Sequence, residues 1–444
     1  MELKRIAAGI LAAATVFTAS AATLNNGTSI FSETAITASA DNACYFLDSQ
    51  KVVYDGLVYK YNSSKKTLTL DGLYSNVSQV VVPYGIDLRS DQTAYKSKMG
   101  YYTVTDISTG AFKDKPVVLK TVDLSRATKI DTIPSQCFMN CENLYSVKFP
   151  SSLKWILTSA FENTGLRYSK NDGGVEKLVI PNSVTNIGAS AFKNCKRIER
   201  LTFESGGSDL FISSNAFQNC ERISEVYFDR TSVKAAADIF DGCGTCLKTY
   251  GYGAQNYAKW ICRNLLSNWG LKWNSNFTEA EQRNFFDTLM TKLNGYVKPA
   301  DLDQQAQEGN TATVISIRKG TCGGYSRLYW MLCREAGVPN DRVLVGGDCH
   351  CHAFNYVKIG DKWYNIDATN NVKACNKAAY SYWFGDDTKV NGVYPHRPEN
   401  WYVLVDDTIG TTDSQQYLHS FTLKFDDLIA HHREGSVYIT GTRA

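Results

Sequence analysis

One phrase, apolar at its first, fourth and sixth positions, returns through the middle of the sequence: Leu119/Val122/Leu124, Leu144/Val147/Phe149, Val175/Leu178/Ile180, Ile198/Leu201/Phe203, Ile223/Val226/Phe228 and Leu247/Tyr250/Tyr252. The central residues lie 25, 31, 23, 25 and 24 positions apart. A second phrase keeps step with it, in Ala111-Phe112, Cys137-Phe138, Ala160-Phe161, Ala191-Phe192, Ala216-Phe217 and Ile239-Phe240. A unit this short cannot bury its own apolar face, so successive units must stack, each adding one short strand to a solenoid.

Within the repeats the phrase Ala-Phe-x-Asn-Cys, as in Ala191 to Cys195 and Ala216 to Cys220, resembles the bacterial cell-surface leucine-rich-repeat family over roughly Tyr59 to Trp273. The resemblance implies that Asn140, Asn194 and Asn219 hydrogen-bond the backbone of neighbouring turns, while Cys141, Cys195 and Cys220 fill the interior beside them. A stack of this kind needs closed ends. Strand candidates at Tyr59 to Tyr61, Thr67 to Leu70 and Val80 to Val82 read as the N-terminal cap. Gly251 to Trp273, with Tyr257, Trp260 and Leu265 at near-helical spacing, reads as the C-terminal one.

The N-terminus carries Lys4 and Arg5, an apolar run from Ile6 to Phe17, and small residues at Ala19-Ser20-Ala21. That is the pattern of a secretory signal, too short to span a bilayer. The expected division is a signal peptide over 1–21, a flexible linker over 22–43, the capped repeat domain over 44–275 and a second domain over 276–444. With 47 basic against 44 acidic side chains the formal charge is +3, which argues for neither nucleic acid nor an anionic membrane as partner. Export permits disulfides among the 13 cysteines, and the odd count leaves at least one thiol unpaired unless a bridge is intermolecular.

The second domain opens on a capping box, Thr278-Glu279-Ala280-Glu281, followed by the stripe Phe285, Phe286, Leu289 and Leu293, which predicts an amphipathic helix. Gln304 to Thr313 is polar and predicts an exposed loop. Cys322 then precedes Tyr325, Leu328, Tyr329, Leu332 and Ala336, a series ending at Gly337-Val338-Pro339, so the thiol stands at a helix start where unpaired N–H groups favour thiolate. Downstream, a two-residue turn at Gly360-Asp361 would pair Ile359 with Lys362 and His352 with Thr369, which puts His352 and Asp367 on one face of a hairpin. A thiol, an imidazole and a carboxylate so disposed suit a nucleophile, its base and the base's orienter.

These three segments, Gly320 to Tyr325, His352 to Asn355 and Trp363 to Thr369, resemble the transglutaminase-like superfamily, with Phe354 where the family has Trp. The resemblance implies an α+β papain-like fold and thiol acyl transfer, with Cys322 as nucleophile, His352 as general base and then acid, Asp367 as orienter and the Cys322 N–H as one oxyanion donor. Gln304, Gln305, Gln307 and Asn310 are candidates for the second donor. No cofactor is expected. In Cys349-His350-Cys351-His352, strand alternation sends cysteines and histidines to opposite faces, against a metal site; Cys349 or Cys351 would instead bridge to Cys333 or Cys375. The implied protein is a secreted or surface-associated thiol enzyme. It would cleave or transfer peptide or glutamine amides of a protein substrate, while the repeats bind a surface protein or polysaccharide. The alternative is an adhesion or scaffold protein whose second domain binds without catalysis.

Overall fold

The computed structural model describes residues 44–88, 100–115, 118–172, 175–244, 246–300, 311–348 and 353–375, together with strand segments at 401–404, 420–422, 432–433, 436–437 and 442–443. The proposed signal and linker lie outside them. Among the described residues no helix is long and apolar enough to cross a membrane.

The chain enters through a six-stranded sheet in the order 45–46, 51–54, 57–62, 67–73, 101–107, 85–87. Its strands alternate as a half-buried sheet must: Leu68 and Leu70 face the core while Thr67, Thr69 and Asp71 stand at its margin. Gln79–Val81 then pairs in parallel with Thr121–Asp123, which hands this cap over to the repeats.

From there the repeated phrase forms parallel ladders. Thr121–Asp123 pairs with Ser146–Lys148, and Val175–Ile180, Arg200–Phe203, Glu225–Phe228 and Lys248–Tyr250 follow one another with Leu178 opposite Leu201 and Leu201 opposite Val226. The 31-residue interval accommodates an extra hairpin, in which Lys170–Asp172 runs antiparallel to the next repeat strand. In the last unit the expected alignment of Tyr250 with Val226 is corrected by one residue, because Thr249 takes that place. No further repeat follows there; the Thr249 hydroxyl and N–H both meet Thr313 Oγ1, at 2.9 and 3.0 Å, so a polar residue at a core position is satisfied.

A second parallel ladder runs through Thr132–Ile133, Trp155–Ile156, Asn186–Ile187, Leu210–Ile212 and Val233–Ala235. The interior holds the second phrase as a column of buried rings. Phe112, Phe138, Phe161, Phe192, Phe217 and Phe240 stack at centroid separations of 5.0, 5.0, 5.2, 5.1 and 5.7 Å.

The turn that recurs from unit to unit places Asp114, Asn140, Asn163, Asn194 and Asn219 at φ between 58° and 63°, a left-handed conformation that Asn and Asp tolerate best. Their side chains do not bond neighbouring backbone, as expected for Asn140, Asn194 and Asn219, but one another. Asn140 Nδ2 donates to Asp114, Asn163 to Asn140, Asn194 to Asn163 and Asn219 to Asn194, at 2.7, 2.7, 2.8 and 3.0 Å. The backbone already bonds from turn to turn, as in Asn140 N to Glu162 O at 2.9 Å and Asn194 N to Gln218 O at 2.8 Å, which leaves the amides to pair among themselves.

Cys141, Cys195 and Cys220 fill the interior as expected, and each thiol donates to a phenylalanine carbonyl, Phe112, Phe161 and Phe192 in turn, at 3.0 to 3.1 Å. Burial pushes the thiol of Cys141 up to about 11 and that of Cys195 up to about 12. Because these folded values exceed the unfolded thiol value of about 8.5, their contribution to stability is complete below that pH and is lost as the pH rises towards the folded values. At pH 8 the native protein is expected to leave Cys141, Cys195 and Cys220 unalkylated by iodoacetamide for as long as it stays folded, whereas the urea-unfolded chain is labelled at all three. Peptide mass spectrometry reads the result, and rapid native labelling at any of them would contradict the packing.

Helix α1 (Gly253–Trp269) closes the stack. It starts at Gly253, where any Cβ would strike the Arg230 carbonyl, so only glycine lets the helix approach the last units this closely. Tyr257 stacks on Phe228 at 4.6 Å and Trp260 Nε1 donates to Ala235 O at 3.1 Å. Helix α2 (Glu279–Tyr296) begins with the expected capping box, reciprocal between Thr278 and Glu281, and buries Phe285, Phe286, Leu289, Met290 and Leu293. Trp273 packs against the rings of Phe277, Phe285 and Phe286.

Helix α3 (Thr311–Ile317) corrects the end of the loop expected over Gln304 to Thr313. Two of its buried polar side chains, Thr313 and Ser316, are paired. Thr313 meets Thr249, and Ser316 Oγ donates to Ala312 O at 2.7 Å. Helix α4 (Cys322–Ala336) and a sheet complete the chain, the sheet in the order 372–375, 362–367, 353–359, 343–348, 401–404, 420–422, with 442–443 beside 362–363. Buried side chains of the repeats and of this last part form one continuous cluster.

Candidate active site

Thr321, with extended φ −80° and ψ 177°, leads directly into α4, and Cys322 is the first residue of that helix. Its side chain is half-buried. At a helix start the first-turn N–H groups find no partner within the helix itself. Everything behind the cysteine is fixed. Tyr325, Leu328, Tyr329, Leu332 and Ala336 are buried; Tyr325 Oη donates to Val297 O at 2.8 Å and Tyr329 Oη to Phe286 O at 3.0 Å. Burial raises the Tyr325 phenol to about 12, so it remains a neutral donor. At Gly320 an added Cβ would lie 3.2 Å from Val314 and 3.5 Å from Tyr325, so α3 and α4 meet across this glycine. Gly337 ends the helix with φ 98°, its N–H on the Arg334 carbonyl.

The hairpin forms with the expected register. Ile359 pairs with Lys362, Val357 with Tyr364 and Asn355 with Ile366, around a turn in which Gly360 has φ 56°. Asp367 closes the second strand and is fully buried. Asn370 holds both of its carboxylate oxygens, Nδ2 to Oδ2 at 2.7 Å and the backbone N–H to Oδ1 at 3.2 Å. Sequence reasoning missed Asn370, although Asp-Ala-Thr-Asn spacing after a strand is a turn signal.

In the sequence Asn355 is only the last residue of the His352 to Asn355 motif. It is fully buried, and its Nδ2 donates to Ser326 O of α4 at 2.9 Å and to Leu344 O of the adjacent strand at 3.1 Å. One amide thus hangs the hairpin on the first turns of the cysteine's helix. His352, three residues before Asn355, lies outside the described residues, as do Gln304, Gln305, Gln307, Asn310 and the run Cys349 to Cys351. Cys322 and Asp367 are therefore placed and His352 is not. Cys333, offered as a bridging partner, is instead an unbridged thiol fully buried in the face of α4, pushed well above its usual range by that burial. Among the described residues no three His, Cys, Asp or Glu side chains gather as a metal would need.

Comparison with known proteins places two families on this chain in succession. The BspA type leucine rich repeat region matches residues 97–176 and 168–250, in six copies. The transglutaminase-like superfamily matches residues 273–368, a span that contains Cys322, His352 and Asp367. Similar solved structures include a leucine-rich repeat protein from Bacteroides ovatus, 19% identical over 44% of this chain and 52% of that one, with a TM-score of 0.32. A leucine rich repeat protein of T. pallidum is 22% identical over 44% of this chain and 79% of its own, TM-score 0.35. The pneumococcal vaccine antigen PcpA is 17% identical over 48% and 51%, TM-score 0.33. This chain thus spans about half, 52%, of the first of these structures. No curated protein matches.

Proposed function

The chain carries a leucine-rich-repeat region followed by a transglutaminase-like domain, and on that premise we propose that it is an exported thiol enzyme acting on amide bonds of proteins. The observation that carries the reading is the position of Cys322 as first residue of α4, with buried Asp367 on the hairpin that Asn355 ties to the same helix. In this reading the repeats, over 44–275, form a capped solenoid that docks to a surface protein or polysaccharide. Residues 276–444 form the α+β papain-like catalytic domain, behind a signal at 1–21 and a linker at 22–43.

The Cys322 thiolate adds to the substrate carbonyl, and the N–H of Cys322 receives the developing oxyanion. The C–N bond breaks as His352 gives its proton to the leaving amine, which leaves a thioester. His352 then takes a proton from water, hydroxide adds to the thioester carbonyl, and the carbon–sulfur bond breaks to give the carboxylic acid and free thiol. Asp367 orients the imidazole and stabilises its charged form. Hydrolysis is preferred to crosslinking because water needs no second binding site; a lysine amine in its place gives transglutamination.

The test is the pH dependence of alkylation at Cys322, followed on its own peptide by mass spectrometry. A paired, helix-start thiolate should react at full rate at least about one unit below the free-thiol value of 8.5. A rate that only rises through the ordinary thiol range would overturn the catalytic reading in favour of a binding domain.

A further inference from the structure

Arg318 follows α3 directly and stands four residues before the thiol, at φ 52°. The residue after a helix takes this left-handed conformation readily when it is glycine, and an L-residue there is strained. The guanidinium has three contacts to set against that strain. Arg318 Nη2 donates to Ala237 O at 3.3 Å and lies 3.1 Å from the Asp241 carboxylate, and the group covers the ring of Tyr296 at 5.1 Å. Ala237 and Asp241 belong to the last repeat. The Arg318 carbonyl accepts from Lys298 N at 2.9 Å, which sets Lys319–Gly320 beside Lys298–Pro299, and Gly320 is the close contact between α3 and α4.

We propose that Arg318 is a positioning residue, through which the last repeat sets the approach of the chain to Cys322. The inference rests on the catalytic reading above. It makes the repeat region part of the site's framework as well as a docking arm, because the contacts that fix the lead-in strand come from Ala237 and Asp241. It also accounts for a strained arginine where glycine would be unstrained.

Arg318→Gly separates the two roles, since glycine removes the guanidinium and relieves the backbone together. In the full chain this variant is expected to melt within a few degrees of wild type. Its Cys322 alkylation rate at pH 7 should fall about tenfold, and its pH profile should move about one unit towards an ordinary thiol. Asp241→Asn, remote in sequence and in the repeats, should produce a smaller shift in the same direction, and the two changes together should not add. Arg318→Lys, which keeps the charge but not the fork, should recover part of the rate. An activated wild-type thiol whose profile is unmoved in Arg318→Gly, or additive effects of Arg318→Gly and Asp241→Asn, would overturn this proposal alone. An ordinary wild-type profile would overturn it together with the catalytic reading.

Discussion

Cys322→Ala is expected to abolish labelling by a thiol-directed acyl probe at position 322 and to lower amide turnover by at least about 10⁴-fold, because no other group can form the thioester. The fold should survive. Cys322 is half-buried, and α4 is held by Tyr325, Tyr329 and its apolar face rather than by the thiol. His352→Ala should keep the fold and lose turnover as well, whereas Asp367→Asn should reduce kcat while leaving Cys322 open to alkylation. Probe incorporation is best read by intact-mass and peptide analysis, since Cys246 is also exposed. Equal labelling of wild type and Cys322→Ala would end the assignment.

Phe192→Ala should be the most damaging single change in the repeats. Its ring lies between those of Phe161 and Phe217, at 5.2 and 5.1 Å and within 4° of parallel. Removal costs about 3–5 kcal/mol for the buried aromatic, and the contact of each neighbouring ring is lost with it. Phe112→Ala, at the end of the column with one stacked partner, should cost less. Urea titration of both variants gives the comparison, and a Phe192→Ala cost below about 1 kcal/mol would mean that the column closes over the gap.

The repeat ladder was legible because each unit restates the same apolar positions, so a weak local signal is read several times over. The second ladder was not. Its strands, such as Thr132–Ile133 and Trp155–Ile156, are too short to show alternation. The turn at Asn140 and Asn194 was legible, but its partner was misassigned, since sequence does not say which acceptors the backbone has already taken. Polar Thr313 reads as loop because its burial depends on Thr249, which lies far away in the sequence. At the candidate site, Cys322 and the hairpin register followed from periodicity and turn length. The bonds of Asn355 to α4 and of Arg318 to Asp241 are tertiary, and no spacing rule announces them.

The asparagine row has a direction. Every amide nitrogen points to the unit before it, the first acceptor is a carboxylate with no N–H to pass on, and Gly242, at the equivalent turn after Asn219, offers no side chain at all. Asp114 and Gly242 therefore act as punctuation, a start mark and a stop mark. A unit copied into the interior finds an acceptor behind it and a donor ahead. One appended beyond Gly242 finds no carbonyl oxygen to meet its amide.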